Sequence, residues 1–503
     1  MKKYRWTLLT PDQSKAGHLS QEINVSLPVA KALLNRGVQT FDDAKAFFRP
    51  SREAIHSPFL LKDMQRAAER IARAIRDREP MMIYGDYDVD GTTGTAMLYL
   101  FLSEVGANAF YYINDRHKEG YGVAMSGIDH AREHGAKVII SVDCGITSVE
   151  PVHYAHNNGI DFIVCDHHEP GELPKACAIL DPKVADSGYP FRELCGCGVA
   201  FKLMQALAAT LQVDEERVFA YLDLVSLAIA ADIVKLVDEN RVLMAEGLKI
   251  IQANPRLCLR AMASVCGFDL TKTSSSQIVF GIAPRINAAG RMEHAQKAIR
   301  WLTAQTESEA YEAAMALEEV NRERREIDLQ IFKEAELMAG SYANNYTSSI
   351  VLFKEEWHLG VIGIVASRVL EKFYRPTIIL TAVDGNIKGS VRSVSGVNVY
   401  EALCECKAYL TQFGGHEYAA GLTMKPGQLD DFRKAFNLAC EKRFDMEQRM
   451  PEIRIDAELG LEEINPKFFN VLRQFAPFGP DNPRPVFMTS DVQLAQPPRL
   501  LKD

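Results

Sequence analysis

Apolar and polar positions follow first a helical period and then a strand-and-helix alternation between residues 61 and 180. The helical period covers Met64, Ala67, Ala68, Ile71, Ala74 and Ile75. Four short apolar runs then predict strands at Met81–Tyr84, Val138–Val142, Phe162–Cys165 and Ala178–Leu180. Helices are predicted between the first three of these runs, at Thr92–Ser103, Gly127–Glu133 and Ser148–Asn158. This alternation is typical of a parallel, doubly wound α/β sheet.

Acidic and histidine side chains follow each predicted strand. The chain carries Asp86, Asp88 and Asp90 after the first strand, then Asp143, then Asp166, His167 and His168, then Asp181. Ligands of open parallel sheets bind at the carboxyl ends of the strands. Close carboxylates repel one another unless cations lie between them, and their oxygens suit Mg²⁺ or Mn²⁺. The pattern predicts a metal site at this edge of the sheet.

Two plainer interpretations of the first acidic motif stay open, a polar surface turn and a calcium loop. A calcium loop of the helix-loop-helix kind follows a helix and has a Glu at its twelfth position, and this motif has neither feature. Asp232 has a plainer interpretation too. It closes the predicted helix Arg217–Ala231, so spacing alone indicates a polar residue at a helix end.

A second kind of pattern mixes basic and small residues. Arg285, Asn287 and Arg291 alternate with Gly and Ala in a stretch without clear periodicity, residues 282–291. Small residues let a ligand approach the backbone, and arginine presents a planar fork to phosphate, so the stretch predicts a phosphate contact. The alternative is a helix cap with salt bridges.

The second half of the chain predicts another α/β domain. Glu307–Leu337 reads as a long charged helix, and strands are predicted at Ile350–Phe353 and Thr377–Leu380. Residues 388–393 place Arg392 and Ser393 at a strand end, and residues 413–421 form a Gly-rich turn with Gly415 and His416. Freed backbone amides beside these cations predict an anion site, although ordinary turn chemistry is the simpler interpretation of His416 alone.

These patterns divide the 503 residues into five parts. We predict an irregular N-terminal lead-in with one short helix pair (1–60), a metal-binding domain (61–305), a linking helix (306–345), a substrate-binding domain (346–445) and a β-rich tail (446–503). Alternating apolar residues from Ile453 to Leu459 predict the strands of the tail.

Composition indicates a globular protein of several domains, with 47% hydrophobic and 24% charged residues. A formal net charge of −9 argues against a surface coated with basic charge. Local arginines and bound cations can still attract the phosphates of a nucleic acid. The sequence shows neither a signal peptide nor a membrane-spanning stretch. Ten scattered cysteines are most simply reduced thiols, which predicts a cytoplasmic location.

Taken together, the motifs resemble those of the DHH phosphoesterase superfamily. Asp86–Asp90, Asp143, Asp166–His168 and Asp232 match its four motifs, and residues 414–421 match the signature of its DHH-associated domain. Within the superfamily, residues 30–503 most resemble the RecJ family of bacterial single-stranded-DNA-specific exonucleases. The further matches are Leu194–Phe201, Pro284–Arg291, Trp357–Arg368 and Phe478–Phe487, the last resembling the entry to an oligonucleotide-binding domain.

The resemblance implies a function and a set of site residues. The function is 5′ to 3′ hydrolysis of single-stranded DNA to 5′-mononucleotides, in DNA repair and recombination, with two Mn²⁺ or Mg²⁺ ions. The metal ligands would be Asp86, Asp88, Asp90, Asp143, His167 and Asp232. Asp143 would bridge the ions, and His168 would face the scissile phosphate. The substrate-binding residues, in a cleft between the two α/β domains, would be Arg285, Asn287, Arg291, Arg392, Ser393, Gly415 and His416.

The same resemblance implies a monomer, partnered by a single-strand-binding protein and a RecQ-type helicase. Two features depart from the family pattern. Tyr84 stands where many relatives have His, and the tail is shorter than a five-stranded barrel needs, so we expect a fragment or an incomplete last domain. Two other functions compete: a DHH phosphodiesterase for oligoribonucleotides or cyclic dinucleotides, and a non-catalytic DNA-binding relative.

Overall fold

A computed structural model describes residues 4–116, 118–343, 348–443 and 450–497. The chain divides into two compact units. The larger unit comprises residues 8–319 and 455–503, and the smaller unit comprises residues 1–7 and 320–454. The predicted domain boundaries near residues 345 and 445 fall beside stretches outside the described residues.

The N-terminal segment is more regular than predicted. After strand β1 (Arg5–Leu8) it forms three helices: α1 (Gln13–Glu22), α2 (Leu27–Leu34) and α3 (Phe41–Phe48). The short helix pair predicted around residues 28–48 is confirmed as α2 and α3, whereas α1 lies in a stretch that was predicted to be irregular. Side chains fix two of the helix starts, since Asp12 accepts from the amides of α1 and Thr40 forms a capping box with Asp43 at α3.

A five-stranded parallel sheet forms the centre of the larger unit. Its strands are β2 (Met81–Gly85), β3 (Ala109–Ile113), β4 (Val138–Val142), β5 (Asp161–Cys165) and β6 (Ala178–Leu180), in the order β3-β2-β4-β5-β6. Every pair in it is parallel. The first helices around it are α4 (Met64–Arg76), α5 (Val89–Glu104), α6 (Met125–Glu133) and α7 (Val149–Asn157). The predicted strands and the α/β fold class are confirmed, and only the edge strand β3 was missed.

Helices complete the larger unit after the sheet. They are α8 (Gly196–Leu211), α9 (Glu216–Phe219), α10 (Leu222–Ala231), α11 (Asp238–Ala253), α12 (Leu257–Cys266), α13 (Ser275–Gln277), α14 (Ala283–Met292), α15 (Gln296–Leu302) and α16 (Glu307–Ala343). The boundary between the two units falls within α16. Residues 282–291 showed no clear periodicity in the sequence, and most of them form α14. This helix has a proline in its first turn and follows a π-helical turn at Ile278–Ile282.

The smaller unit contains a mixed five-stranded sheet. Its strands are β7 (Ile350–Phe353), β8 (Thr377–Val383), β9 (Asn386–Arg392), β10 (Gln412–Gly415) and β11 (Ala419–Met424), in the order β10-β11-β9-β8-β7. Only β7 and β8 pair in parallel. The accompanying helices are α17 (Leu359–Phe373), α18 (Val399–Glu405) and α19 (Leu429–Glu441). The Gly-rich residues 413–421 form the turn of the β10–β11 hairpin, as the glycines indicated.

The C-terminal tail returns to the N-terminal helices. Strand β12 (Glu452–Ile455) pairs with β1, and the tail continues through β13 (Ala457–Glu458), α20 (Pro466–Arg473) and β14 (Phe487–Met488). Leu459, Phe468 and Phe475 share one apolar core with residues of α1–α3. A buried ion pair, 2.7 Å between Arg36 Nη1 and Asp456 Oδ1, joins the same two parts of the chain. Helices α1–α3 and the tail after residue 455 therefore fold together within the larger unit, whereas most of the β1–β12 pair belongs to the smaller unit.

Candidate metal centre

Carboxylates gather at the carboxyl end of the central sheet because three neighbouring strands end there. Asp86 follows β2 directly. Asp88 is the N-cap of α5 and accepts a hydrogen bond from the amide of Gly91, 3.1 Å away. Asp143 follows β4 with a left-handed backbone (φ +64°). The sharp turn sends its carboxylate back toward the neighbouring strands, into a position that is only 3% exposed.

Asp90 lies at the first turn of α5 and is held by the start of another helix. Its Oδ2 accepts from the amide of Gly196 at 2.6 Å and its Oδ1 from the amide of Cys197 at 2.8 Å. These amides open α8, so the helix dipole favours the negative charge. A Cβ on Gly196 would lie 2.6 Å from Cβ of Asp143, so only glycine lets α8 approach this closely. The motif at residues 194–201 thus positions Asp90, one of the predicted metal ligands.

His167 connects the carboxylates. Its Nε2 lies 3.1 Å from Oδ1 of Asp143, 3.6 Å from Oδ2 of Asp232 and 3.7 Å from Oδ2 of Asp90. The ring is also fixed by a hydrogen bond to the backbone of Leu194. This second contact is the usual way in which a protein orients a metal-binding imidazole.

Ligand atoms within 4.8 Å of one another form three overlapping groups in the described part of the chain. The groups are Asp86, Asp88 and Asp143; Asp90, His167 and Asp232; and Asp143, His167 and His168. Asp143 and His167 each belong to two of these groups. All six sequence-predicted metal ligands are therefore brought together, and Asp232, whose spacing indicated only a helix end, lies among them at the C-cap of α10.

The electrostatics of this cluster favour a bound cation. Burial and the charge of neighbouring aspartates raise the pKa of Asp86, Asp143 and Asp232 well above the usual value. Burial lowers the pKa of His167 to about 3, so the ring stays neutral at pH 7. Buried oxygens of the three aspartates and Nε2 of His167 have no hydrogen-bond partner. Buried carboxylate oxygens without hydrogen-bond partners, together with one neutral imidazole nitrogen, are atoms that coordinate Mn²⁺ or Mg²⁺.

Asp166 and His168 form a separate pair beside the ligands. Asp166 Oδ1 lies 2.8 Å from Nδ1 of His168, and Oδ2 accepts from the amide of Ile146 at 2.9 Å. Burial alone would raise the pKa of Asp166, but these hydrogen bonds and the charge of His168 outweigh it and lower the pKa. Burial opposes protonation of His168, yet the bond to Asp166 raises the pKa of the imidazole. Asp166 thus orients His168.

The stability of the metal-free protein should depend on pH through this cluster. Burial, followed by the charge of Asp88, raises the pKa of Asp90 from 3.8 to about 6. The folded state then keeps this proton to a higher pH than the unfolded chain does. Its stabilising contribution is complete below about pH 4 and is lost as the pH rises through about 6. At about 1.4 kcal/mol per pH unit, the loss is about 3 kcal/mol.

We therefore expect the Tm of the chelator-treated protein to fall between about pH 4 and about pH 6. Scanning calorimetry in matched buffers measures it. Asp90→Asn should flatten the fall, and Mn²⁺ should remove it, because the bound cation stabilises the ionised cluster. A Tm that rises over this interval without metal would contradict the assignment.

Several residues near the centre escaped the sequence analysis. The hydroxyl of Tyr121 contacts His168, and Asn114, only 1% exposed, hydrogen-bonds Asp86. The guanidinium of Arg116 lies over the Tyr87 ring, 4.9 Å from its centroid, and its charge lowers the pKa of Asp86. These residues share one feature in the sequence: they lie in the polar stretch that follows β3. The sequence could have indicated them only if β3 had been recognised as a strand of the sheet.

The three predicted substrate-binding residues of the larger unit lie on α14. Arg285 is buried, pairs with Glu318 at 2.5 Å and donates to the carbonyl of Gly281. Its predicted phosphate contact would require this ion pair to open, and the alternative of a helix with salt bridges describes it better. Asn287 and Arg291 are half-buried.

Helix α14 also contacts the first acidic motif. A Cβ on Gly290 would lie 2.7 Å from the carbonyl oxygen of Tyr87, so the helix touches the backbone between Asp86 and Asp88. The charge of Arg291 acts on the Tyr87 hydroxyl. Arg291 therefore lies near Tyr87 of the first acidic motif, and its phosphate contact stays a prediction.

The other four predicted residues lie together at one end of the smaller unit's sheet. Arg392 ends β9 opposite Ala419, and the amide of Ser393 donates to the carbonyl of Tyr418. Gly415 has φ +143°, and a Cβ there would lie 2.4 Å from the carbonyl oxygen of Ala419. His416 is exposed at the hairpin turn. The predicted cleft between these residues and the metal centre joins two separate units and stays a prediction.

Models of known protein families match three parts of the chain: the domain with the candidate metal centre, the domain of the smaller unit and the C-terminal tail. Family models match residues 80–229 (DHH family, N-terminal domain), 344–442 (DHHA1 domain) and 455–503 (RecJ OB domain). A parallel sheet with this acidic edge, followed by a DHHA1 domain, defines a DHH phosphoesterase.

Similarity to individual proteins narrows this class. The chain is 38% identical to the single-stranded-DNA-specific exonuclease RecJ of Bacillus subtilis (strain 168), over 98% of this chain and 62% of that protein. It is 34% identical to RecJ of Escherichia coli (strain K12), over 85% of this chain and 78% of that protein. The chain therefore belongs to the RecJ family, although it spans only about three fifths of the length of the Bacillus subtilis relative.

Solved structures agree with this assignment. RecJ of Thermus thermophilus in complex with Mn²⁺ matches with a TM-score of 0.84 and 29% identity, over 97% of this chain and 69% of that one. The same protein in complex with Mg²⁺ matches with a TM-score of 0.77. The predicted domain with an oligonucleotide-binding character coincides with the RecJ OB match at residues 455–503. Every helix among the described residues is too short or too polar to cross a lipid bilayer.

Proposed function

We propose that this protein is a metal-dependent exonuclease specific for single-stranded DNA, which works from the 5′ end and releases 5′-mononucleotides during DNA repair and recombination. The observation that carries the proposal is the convergence of five aspartates and His167 in three overlapping ligand groups, with His168 beside them. The similarity to single-stranded-DNA-specific exonucleases supports the choice of substrate. The polarity is what the family resemblance implies.

Two Mn²⁺ or Mg²⁺ ions would supply an activated water and offset the charge of the phosphodiester. Asp86, Asp88, Asp90, Asp143, His167 and Asp232 would hold them. Asp143 would bridge the ions, as the family resemblance implies. Its carboxylate lies within 4.8 Å of ligand atoms of Asp86 and Asp88 and also of His167. The helix-start amides restrict how the Asp90 carboxylate can turn, so its geometry is set before any ion arrives.

His168 acts on the phosphate rather than on an ion in this mechanism. Asp166 accepts from Nδ1 at 2.8 Å, which leaves Nε2 as the reactive edge of the ring. The raised pKa of His168 favours the protonated form, so Nε2 can donate a hydrogen bond or proton as charge develops on the phosphate oxygens. About one third of the side chain is exposed, which gives the substrate access.

Substrate binding is assigned to cations and backbone amides outside the ligand cluster. Asn287 and Arg291 on α14 would contact the strand next to the metal centre. Arg392, Ser393, Gly415 and His416 would bind phosphate at the sheet end of the smaller unit, and Arg285 would act by stabilising α14. Partnership with a single-strand-binding protein and a RecQ-type helicase, a monomeric state and a cytoplasmic location are further proposals from the family resemblance.

Digestion of end-labelled DNA tests the function. A long single strand labelled at its 5′ end should release labelled mononucleotide at once with Mn²⁺, whereas the 3′-labelled strand should release its label last. Chelator should stop both reactions, and a blunt duplex should resist. Preferential hydrolysis of a dinucleotide would favour the alternative phosphodiesterase, and binding without any hydrolysis would favour the non-catalytic relative.

A further inference from the structure

A tyrosine outside the metal ligands lies against the proposed catalytic histidine. The hydroxyl oxygen of Tyr121 is 2.9 Å from Nδ1 and 3.2 Å from Nε2 of His168. It is also 3.4 Å from the carbonyl oxygen of Asp143. Residues 118–124, which we call the Tyr121 loop, bring the phenol to this place. His168 thus contacts both Asp166 and Tyr121.

Side-chain hydrogen bonds fix the Tyr121 loop on its N-terminal side. Asn114 donates through Nδ2 to the carbonyls of Gly120, at 2.8 Å, and Gly122, at 3.2 Å. Glu119 accepts from the hydroxyl of Tyr112 at 2.7 Å. A loop with this many specific partners holds its aromatic side chain in one place, although the loop lies at the surface.

Tyr84 fixes the same loop on its C-terminal side. Its side chain is fully buried at the end of β2, and its hydroxyl donates to the carbonyl of Gly122, at 3.3 Å, and accepts from the amide of Ala124, at 3.0 Å. A Cβ on Gly127 would lie 2.3 Å from the Tyr84 ring, so the surroundings fit this large side chain. Tyr84 is the residue that departs from the family pattern, and here it connects the sheet to the Tyr121 loop.

We propose that Tyr121 is a positioning residue for His168. Asp166 accepts the Nδ1 proton, so the contact with Tyr121 is assigned to Nε2. In the neutral ring Nε2 accepts from the Tyr121 hydroxyl, and in the protonated ring Nε2 donates to the phenol oxygen. When a phosphate approaches Nε2, the hydroxyl can turn to its second acceptor, the carbonyl of Asp143. The imidazole is then held with Nε2 toward the substrate before and during binding. This inference rests on the proposed role of His168 in hydrolysis.

Kinetics of Tyr121→Phe test the proposal, because this change removes only the hydroxyl. Partners that orient a reactive side chain are worth about 10- to 100-fold when lost. We expect kcat on single-stranded DNA to fall about tenfold, with KM changed less than about twofold. Tyr154→Phe is the matched control. It too removes only a tyrosine hydroxyl, one that donates to the carboxylate of Asp129 away from the centre, and it should leave kcat unchanged.

The other role open to an exposed ring is stacking on a base. Tyr121→Phe keeps the ring, so stacking predicts an unchanged kcat for this variant and a raised KM only for Tyr121→Ala. That result would overturn the positioning role.

A double-mutant cycle asks whether Tyr84 acts through Tyr121. Tyr84→Phe should lower kcat by a smaller factor than Tyr121→Phe. The double variant should be no slower than Tyr121→Phe alone. Once Tyr121 has lost its hydroxyl, the loop can no longer position His168, so loosening the loop through Tyr84 has no further effect. Multiplied losses in the double variant would show that the two tyrosines act independently.

A measurement without turnover separates this inference from the proposed function. Long-range ¹H–¹⁵N spectra of the chelator-treated, histidine-labelled protein report the tautomer of His168, assigned by its loss in His168→Ala. Wild type should show the Nδ1-protonated form with a hydrogen-bonded Nε2. Tyr121→Phe should move the Nε2 resonance, and Tyr154→Phe should not. An unmoved resonance overturns the inference even in an active nuclease, whereas an inactive wild type with the expected spectra would overturn the function alone.

Discussion

Asp143→Ala should lower the exonuclease rate by at least about a thousandfold at saturating Mn²⁺, because it removes the ligand that two groups of the cluster share. Charge stabilisation by bound metal is worth several kcal/mol, and each 1.4 kcal/mol is tenfold in rate. The loss should appear in kcat, measured by release of labelled nucleotide. Raising the Mn²⁺ concentration should recover little of it, since no neighbouring side chain can take the bridging position.

Asp186→Ala is the matched control, since it removes an exposed aspartate that pairs only with Lys62 at the surface. It should keep the wild-type rate. Thermal melting adds a second measurement. Mn²⁺ should raise the Tm of wild type and of Asp186→Ala but not that of Asp143→Ala. Asp143→Asn should melt higher than wild type without metal, because it removes a buried charge from among repelling neighbours. An Asp143→Ala protein with full activity would refute the two-metal centre.

His168→Ala is expected to lower kcat by about a hundred- to ten-thousandfold, the usual contribution of a general acid or base. Binding of metal should survive, because His168 faces the phosphate in the proposed mechanism and Asp166 holds it away from the ions. Single-turnover digestion measures the chemical step, and the Mn²⁺-dependent rise in Tm measures metal binding in the same protein.

The control for this variant is His153→Ala, an exposed histidine on α7, which should behave as wild type. The result that would contradict this role is a His168→Ala protein whose Tm no longer rises with Mn²⁺. Nitrogen atoms of His168 do lie within 4.8 Å of ligand atoms of Asp143 and His167. That outcome would make His168 a ligand and would leave the phosphate without its proposed donor.

The sequence predicted the central sheet and its acidic edge because both are local patterns. Each strand is a short apolar run, and each ligand except Asp232 lies within a few residues of a strand end. Asp232 could be assigned only through the family resemblance, since nothing in its own surroundings distinguishes it from a helix end. Its place in the centre depends on how α10 packs on the sheet, which is a long-range property.

The wrong predictions also come from contacts between distant parts of the chain. The stretch that forms α1 looked irregular because the apolar core that it joins is completed by Leu459, Phe468 and Phe475, more than 400 residues later. Helix α14 has too many small residues to show a helical period. Arg285 resembled a phosphate ligand because its partner Glu318 lies on another helix. Where a contact joins distant parts of the chain, composition and spacing carry too little information.

The common core of the N-terminal helices and the tail has a practical consequence for anyone who shortens this protein. A fragment that stops before residue 455 would expose the apolar faces of α1–α3 to solvent. It would also leave the buried guanidinium of Arg36 without its ion-pair partner Asp456. Such a fragment should aggregate even though its metal centre is whole. Trimming both ends together, before about residue 50 and after about residue 454, removes the two halves of one core at once and is the cut most compatible with solubility.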